Sequence, residues 1–456
     1  MKNILLIEPD YRSKFPPLGL LRLSSLHKEN GDSVTFARGC QETLRNSHWH
    51  RIYVSSLFTW ELPRTVRTIR YYLRSVAHPE NMFVGGVGAT LMPEYIKKNV
   101  PCTVICGPVD RKGVLGPGLP SLEKAAPDYS LLDSADWDYQ PEDSYFCRTT
   151  KGCVRHCKFC AVPHLEPRFS RYTHWRDEIR ETRQEYGERQ NLVLLDNNVL
   201  ANDKVDGIIR DIRNEGFERG ARRNGRMRSV DFNQGMDARL VTPQMAESLA
   251  TINLRPVRLA FDYDGIEKAY RTAVARLAKV GFRLFTNYLM FNFNDTPESL
   301  YRRMAVNCEL SREHDVAITG FPMRYIPIHD IGRQYVAPGW CWKYLRGIQC
   351  VLLATRGTVW PTEGFFATAF GESYEEFLEI LAMPDRYIIH RAKYRENRAK
   401  DWRKLFRRLS PSTRTDLLEV LATLNGARDK KAEMKKHSQF RELLEHYYPH
   451  GRVIRE

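Results

Sequence analysis

Lys151-Gly152-Cys153-Val154-Arg155-His156-Cys157-Lys158-Phe159-Cys160-Ala161 sets three cysteines at C-x3-C-x2-C, and no fourth cysteine follows at a regular interval. Four thiolates fully ligate a structural zinc or an ordinary four-iron cluster. Three thiolates on one tight loop suit a four-iron cluster with one iron left open, and an open iron can hold a substrate or cofactor. At this cysteine frequency the array is expected by chance only about 0.005 times. The alternative is a zinc site completed by a distant fourth ligand, Cys147 or His156. Phe159 puts a flat side chain immediately before the third cysteine.

The array resembles the C-x3-C-x-aromatic-C motif of the radical S-adenosylmethionine (radical SAM) enzymes. The resemblance implies a 4Fe-4S cluster held by Cys153, Cys157 and Cys160, with SAM chelated at the open iron through its amino and carboxylate groups. It implies one-electron cleavage of SAM to methionine and a 5'-deoxyadenosyl radical, which takes a hydrogen atom from substrate. Phe159 would pack beside the adenine. A reductant such as flavodoxin or ferredoxin would supply the electron.

Outward from the cysteines, the chain from Ser144 repeats strand then helix six times. The apolar pattern predicts strands over Tyr145–Arg148, Leu192–Leu195, Val230–Phe232, Val257–Phe261, Arg283–Tyr288 and Val316–Thr319. Helices are expected over Trp175–Tyr186, Val205–Glu215, Pro243–Thr251, Ile266–Val280 and Pro297–His314. Parallel strands need such crossovers. Six units are too few for a closed eight-stranded barrel, and they match the open (β/α)6 barrel that the resemblance implies.

Parallel barrels carry their chemistry at the C-terminal ends of strands. Asp196, Asn197 and Asn198 follow the second strand, where the family often has Gly-Gly-Glu to bind the SAM ammonium. This chain departs from that pattern, but one carboxylate and two amide oxygens can accept ammonium hydrogens. Asx residues also favour turns. After the third strand, Asn233 and Gln234 are expected at the barrel mouth. Arg239 either reaches the SAM carboxylate, which a guanidinium forks onto well, or pairs with Asp237. Asp262 ends the fourth strand, and Asn287, Tyr288 and Asn292 are further candidates for SAM or substrate contact. Gly320-Phe321-Pro322 reads as a turn, lining the adenine edge or packing in the core.

Residues 1–108 alternate strand and helix in the rhythm of a doubly wound sheet. They resemble the cobalamin-binding-type Rossmann-like domain that precedes many radical SAM barrels, at Pro16-Pro17-Leu18-Gly19-Leu20, Gly85-Gly86 and Pro93-Glu94. Cobalamin itself stays open: the D-x-H-x-x-G motif is absent, and His27 lies in a helix-like run. Residues 109–143 read as a connector. The expected layout is thus α/β: 1–108 Rossmann-like, 109–143 connector, 144–330 partial (β/α)6 barrel, and 331–456 a mainly helical, basic, aromatic-rich region.

Lys and Arg outnumber Asp and Glu 70 to 55, a net charge of +15, which favours an anionic partner. Two runs concentrate it. Arg219–Arg228 holds five arginines and no acid. Arg386–Arg408 holds ten basic residues against two acids, with Tyr387, Tyr394, Trp402 and Phe406 interleaved. Such a pattern can neutralise phosphates and stack bases, or it can be a solvated face with aromatics packed beneath. No run approaches the ~18 apolar residues of a membrane span. The start reads as a strand rather than a signal peptide, and ten cysteines in so long a chain make no disulfide framework. A reducing cytoplasm is the expected location. No Ser-His-Asp set, H-E-x-x-H or Walker loop is present. His446 and His450 are four apart, but Pro449 spoils a helical metal pair. Cys341 and Cys350 are too few for the seven-cysteine extension of peptide-modifying relatives.

The expected function is a SAM-cleaving enzyme, a transferase that methylates or methylthiolates an unactivated carbon of an anionic substrate such as nucleic acid. A small phosphorylated metabolite is the alternative substrate. A non-catalytic Fe–S or zinc protein that binds nucleic acid is the alternative class.

Overall fold

The computed structural model describes residues 1–449, so His450 and the end of the expected 331–456 region lie outside it. The fold is mixed α/β with parallel sheets and a helical C-terminal region. Among the described residues, no helix is long and apolar enough to cross a membrane.

Strands β1 (Asn3–Glu8), β2 (Ser33–Arg38), β3 (Arg51–Ser55), β4 (Met82–Gly85) and β5 (Thr103–Val104) form one parallel sheet in the order β2-β1-β3-β4-β5. The continuous apolar run Ile4–Ile7 suits a strand covered on both faces. Leu5, Ile7, Ile52, Val54 and Val84 meet Val66, Ile69 and Tyr72 of the helix Leu62–Tyr72 on one face. Ile4, Leu6, Tyr53 and Phe83 meet Leu20, Leu21 and Leu26 of the helix Leu18–Glu29 on the other. Each aliphatic side chain so buried contributes roughly 1.5–3 kcal/mol. Gly86 follows β4 with φ +101°, and a Cβ there would lie 2.7 Å from the Ser56 carbonyl oxygen, so the two strand ends can approach only at glycine.

The expected connector, 109–143, does not stand between separate bodies. Its Leu115, Leu122, Leu131 and Tyr139 complete the second face of the sheet. Tyr129 packs with Phe146 and Val193 of the next one. Buried Glu178, on the helix Trp175–Tyr186, takes a two-pronged ion pair from Arg22 at 2.7 and 2.9 Å. These contacts explain why the compact units divide elsewhere than at the expected boundaries. One unit is 1–258 with 326–334; the other is 259–325 with the chain from Tyr335 onward.

The first unit continues with β6 (Ser144–Cys147), β7 (Thr150–Lys151), β8 (Ser170–Arg171), β9 (Asn191–Leu194), β10 (Arg222–Arg223), β11 (Arg226–Met227) and β12 (Ser229–Phe232). β12, β9 and β6 form a three-stranded parallel sheet in that order, while β7–β8 and β10–β11 are antiparallel pairs.

The second sheet of three, in the order β13 (Val257–Ala260), β14 (Leu284–Phe291), β15 (Ala317–Arg324), belongs with the second unit, where β14 and β15 run parallel. Both are longer than their sequence pattern suggests. Gly320-Phe321-Pro322, expected as a turn, lies within β15: Gly320 pairs with Tyr288's neighbour Asn287 and exchanges both backbone bonds with Val359 at 2.8 Å. Pro322 is tolerated because β15 ends the strand order. Arg303 is wholly buried and gathers the carbonyl oxygens of Phe261, Asp262 and Met290 at 2.8–3.1 Å, with its charge answered by Asp295 at 2.7 Å. Helices fill the rest of this unit.

Glu8 closes β1 in a buried position. Tyr139 donates to it at 2.5 Å, and Arg38 Nε stands 3.4 Å away. Burial outweighs both partners and pushes the carboxyl up to about 7. Its proton is therefore held more tightly in the folded state than in the unfolded one. That contribution to stability is complete below pH 4.5 and is lost as pH rises through about 7. Glu8→Gln removes it. The stability of the variant relative to wild type should climb by roughly 2–3 kcal/mol from about pH 5 to about pH 8 in urea unfolding; parallel pH profiles would refute the assignment.

Candidate functional site

The cysteine array sits on the segment between β7 and β8. Their antiparallel pairing, Thr150 with Arg171 and Lys151 with Ser170, pins its two ends together. Gly152 is buried with φ +69°, and a Cβ there would strike Arg168 O at 2.5 Å and Glu166 O at 2.9 Å, so glycine lets the arms close. Cys160 N–H donates to Cys157 O at 3.0 Å, and the short helix Val162–Leu165 follows. Cys153, Cys157, Cys160 and Phe159 are all half-buried. The Arg155 N–H donates to Cys153 Sγ at 3.3 Å. Among the described residues, no three or more His, Cys, Asp or Glu side chains are grouped as one metal ion would require. Cys147 is buried and donates toward Trp175 O, and burial pushes its thiol well up, a poor setting for a fourth zinc thiolate.

Asp196-Asn197-Asn198 follows β9, beside the strand end that feeds the array, and grips the cysteine loop at three points. Asp196 is buried. It accepts from Thr149 N–H at 3.0 Å and from the Thr149 and Thr150 hydroxyls at 2.6 Å each. Burial lifts its carboxyl above the usual range although these donors pull it back. Asp196 thus has a structural task beside the expected SAM contact: both threonine hydroxyls bond its Oδ1, and its Oδ2 takes the Thr149 N–H. Asn197 donates to Glu166 Oε2 at 3.2 Å, the same oxygen that takes Gly152 N–H at 2.7 Å. Arg148 pairs with the other Glu166 oxygen at 2.8 Å. Asn198, 3% exposed, places Nδ2 3.8 Å from Cys153 Sγ, and its Oδ1 has no hydrogen-bond partner.

Asp237, beyond β12, is claimed by two arginines. Arg239 forks onto it at 2.7 and 3.0 Å, and Arg155, from within the cysteine array, reaches it at 3.1 Å. Burial draws the Asp237 carboxyl upward, but Arg239 and Arg155 hold it below the usual range. The pairing alternative for Arg239 is thus the observed one, and Asp237 receives the fork expected for a SAM carboxylate. Asn233 is half-buried and Gln234 exposed at the end of β12, with Gln234 Nε2 3.4 Å from Asn233 Oδ1. Asp262, Asn287, Tyr288 and Asn292 belong to the second unit. There Asn287 and Asn292 are buried, and the Asn287 Nδ2 has no hydrogen-bond partner. Asn287 accepts from Asn307, while Asn292 (φ +67°) bonds Tyr325 O, Tyr335 O and Ala337 N–H.

His27 engages Asp32 at 2.8 Å through Nδ1 and the Tyr53 hydroxyl at 3.1 Å through Nε2, so neither ring nitrogen is left for a cobalt. The first basic run is the β10–β11 hairpin, turned by Asn224 (φ +51°) and Gly225 (φ +74°). An Asn-Gly pair is the sequence signal for such a turn. Arg222 and Arg226 are exposed on it, whereas Arg223 pairs with Asp143 and buried Arg228 pairs with Glu188 at 2.6 Å over the Phe217 ring. In the second run, Tyr387, Trp402 and Phe406 are buried and so packed beneath the charges rather than open to bases; Arg403 and Arg407 pair with Glu379. Glu166 and the two threonines carry no motif of their own. The signal available for Glu166 was its place six residues after the third cysteine.

No protein-family model matches this chain, and no curated protein does. Asp196→Ala should strip Thr149 and Thr150 of their acceptor. A loss of roughly 2–3 kcal/mol is expected in urea unfolding, together with new proteolytic cleavage between Arg148 and Arg168. Wild-type stability with an uncut loop would show that Asp196 does not hold it.

Proposed function

We propose that this chain is a radical SAM enzyme acting on an anionic substrate. The observation that carries the proposal is the C-x3-C-x-aromatic-C array on a loop that leaves the C-terminal end of a parallel strand. The local chemistry suits the cluster. The three thiols are half-buried, and the Arg155 N–H and Asn198 Nδ2 both stand at Cys153 Sγ, as a negatively charged thiolate needs. Each cysteine of a four-iron cluster takes its own iron, so the three sulfurs need not meet at a single ion. In this reading the strand–helix repeats from Ser144 are those of the (β/α)6 family, and the sheet β2-β1-β3-β4-β5 is the Rossmann-like domain.

When bound, the cluster supplies the electron that cleaves SAM to methionine and a 5'-deoxyadenosyl radical. Cys153, Cys157 and Cys160 hold it. The Asn198 Oδ1, buried and unpartnered, would accept from the SAM ammonium, and Asn197, Asn233 and Gln234 would be further polar contacts. Phe159 would pack against the adenine. Asp237 fixes Arg239 and Arg155 and so ties the end of β12 to the array. His27, with its ring nitrogens on Asp32 and Tyr53, does not suit cobalamin as a cobalt ligand. Net charge and the exposed Arg222 and Arg226 favour nucleic acid as the anionic substrate.

Anaerobic protein loaded with iron and sulfide, reduced and given SAM, should release 5'-deoxyadenosine detectable by mass spectrometry, and Cys157→Ala should release none. One zinc per chain, or equal product from the variant, would overturn the proposal. Wild type should bind RNA or DNA with a steep salt dependence. The double variant Arg222→Ala/Arg226→Ala should lower the slope of log affinity against log salt by about 2. A flat salt response would transfer the proposal to a small phosphorylated metabolite.

A further inference from the structure

The Asn198 side chain is almost completely enclosed, yet only its amide nitrogen has a partner, and that partner is Cys153 Sγ at 3.8 Å. Turning the amide over would set oxygen against sulfur, two acceptors facing each other once the thiol is a thiolate. The nitrogen-to-sulfur orientation is therefore the one the charge selects. The residue cannot move far, because Asp196 is bonded to Thr149 and Thr150 and Asn197 to Glu166 on the same loop. Cys153 receives a second donor from the Arg155 backbone at 3.3 Å. Hydrogen bonds to ligating sulfur, and the burial around it, set the reduction potential of an iron–sulfur cluster.

We infer that Asn198 is a positioning residue for the cluster: its side-chain amide donates to the Cys153 thiolate and raises the ease with which the cluster is reduced. The inference rests on the radical SAM reading but goes beyond it, since it assigns the electron-accepting property of the site to a residue 45 positions from its sulfur. The added electron makes the cluster more negative, so a donor at its sulfur stabilises the reduced state more than the oxidised one. Asn198→Leu replaces the donor by an apolar side chain that keeps water out. Asn198→Ala removes the donor without adding bulk. Leucine also removes a buried acceptor that has no partner, so the fold itself gives no reason for Asn198→Leu to be less stable.

The experiment is an anaerobic redox titration of the loaded full-length protein, followed by electron paramagnetic resonance. Iron, sulfide, circular dichroism and thermal unfolding are measured on the same samples. At a fixed potential near the wild-type midpoint, the ratio of reduced to oxidised cluster should fall about tenfold in Asn198→Leu, as loss of one hydrogen bond to a charged sulfur implies, which for a one-electron couple is a negative shift of about 59 mV. Asn198→Ala should shift in the same direction. Variants that keep the wild-type fold but bind less iron at an unchanged midpoint overturn the inference, because Asn198 then only shapes the loop. Wild-type loading with an unchanged midpoint in both variants overturns it, as does loss of the fold in both. Failure of the wild-type protein itself to take up four irons overturns the radical SAM reading, and this inference with it, before any variant is compared.

Discussion

The carboxylate of Asp196 is the constraint on which the functional region depends. It lies at the end of β9, buried, and binds the backbone and hydroxyl of Thr149 and the hydroxyl of Thr150, the residues through which β6 passes into the cysteine loop. Charge-assisted bonds of this kind are short and strong, and two strands paired in parallel are thereby joined to a loop that neither would fix alone. Glu166 repeats the device on the far arm. One oxygen takes Arg148, and the other takes Gly152 and Asn197. The stem of the loop is thus closed by two carboxylates and a glycine, whereas the three thiols stay half-buried.

Much of the scaffold could be read in the sequence because its signals are local. Ile4–Ile7, Leu192–Leu195 and Val257–Phe261 are apolar runs of strand length, and the helices between them repeat at three and four residues. The cysteine spacing is equally local. What could not be read depends on partners far apart in the chain. Asp196 and Thr149 are separated by 47 positions, and Arg155 and Asp237 by 82. An Asx residue after a strand has the same appearance whether it faces a ligand or a neighbouring loop. Strand ends failed for a related reason: β15 continues through Gly320-Phe321-Pro322 because β14 and Val359 supply partners, which overrides the turn preference of glycine and proline. The Asn224-Gly225 hairpin was a local signal, hidden by the arginines around it.

Charge is the property that the structure redistributes most. A net +15 suggests an open basic surface, but many arginines do internal work. Arg22 answers Glu178, Arg228 answers Glu188, Arg303 caps strand carbonyls, and Arg407 answers Glu379. A guanidinium suits these places because its planar fork satisfies a carboxylate or several carbonyls at once and stays charged when enclosed. The aromatic residues interleaved with the second basic run have a packing reason, with Trp402 stacked on Phe406 at 4.7 Å inside the helical region. Among the described residues, Arg222 and Arg226 on the hairpin and Lys393, Arg395, Arg398 and Lys400 in the second run stay exposed.

Rigidity at the stem and exposure at the thiols have a common physical reason. A loop built to be held together by its metal would leave the stem dependent on ligation, as small zinc domains do. Here the stem is closed by hydrogen bonds from Thr149, Thr150 and Gly152 to the Asp196 and Glu166 carboxylates, none of which needs a metal. A scaffold that is already ordered does not spend binding energy on folding the loop, so ligand exchange at the site leaves the fold intact. In the proposed reading, that property suits a centre where molecules bind, react and leave more than a structural staple. The unpartnered Asn198 Oδ1 fits the same logic: a buried acceptor without a donor costs roughly 1–3 kcal/mol, and a site that binds a hydrogen-bond donor recovers that cost each time the donor arrives.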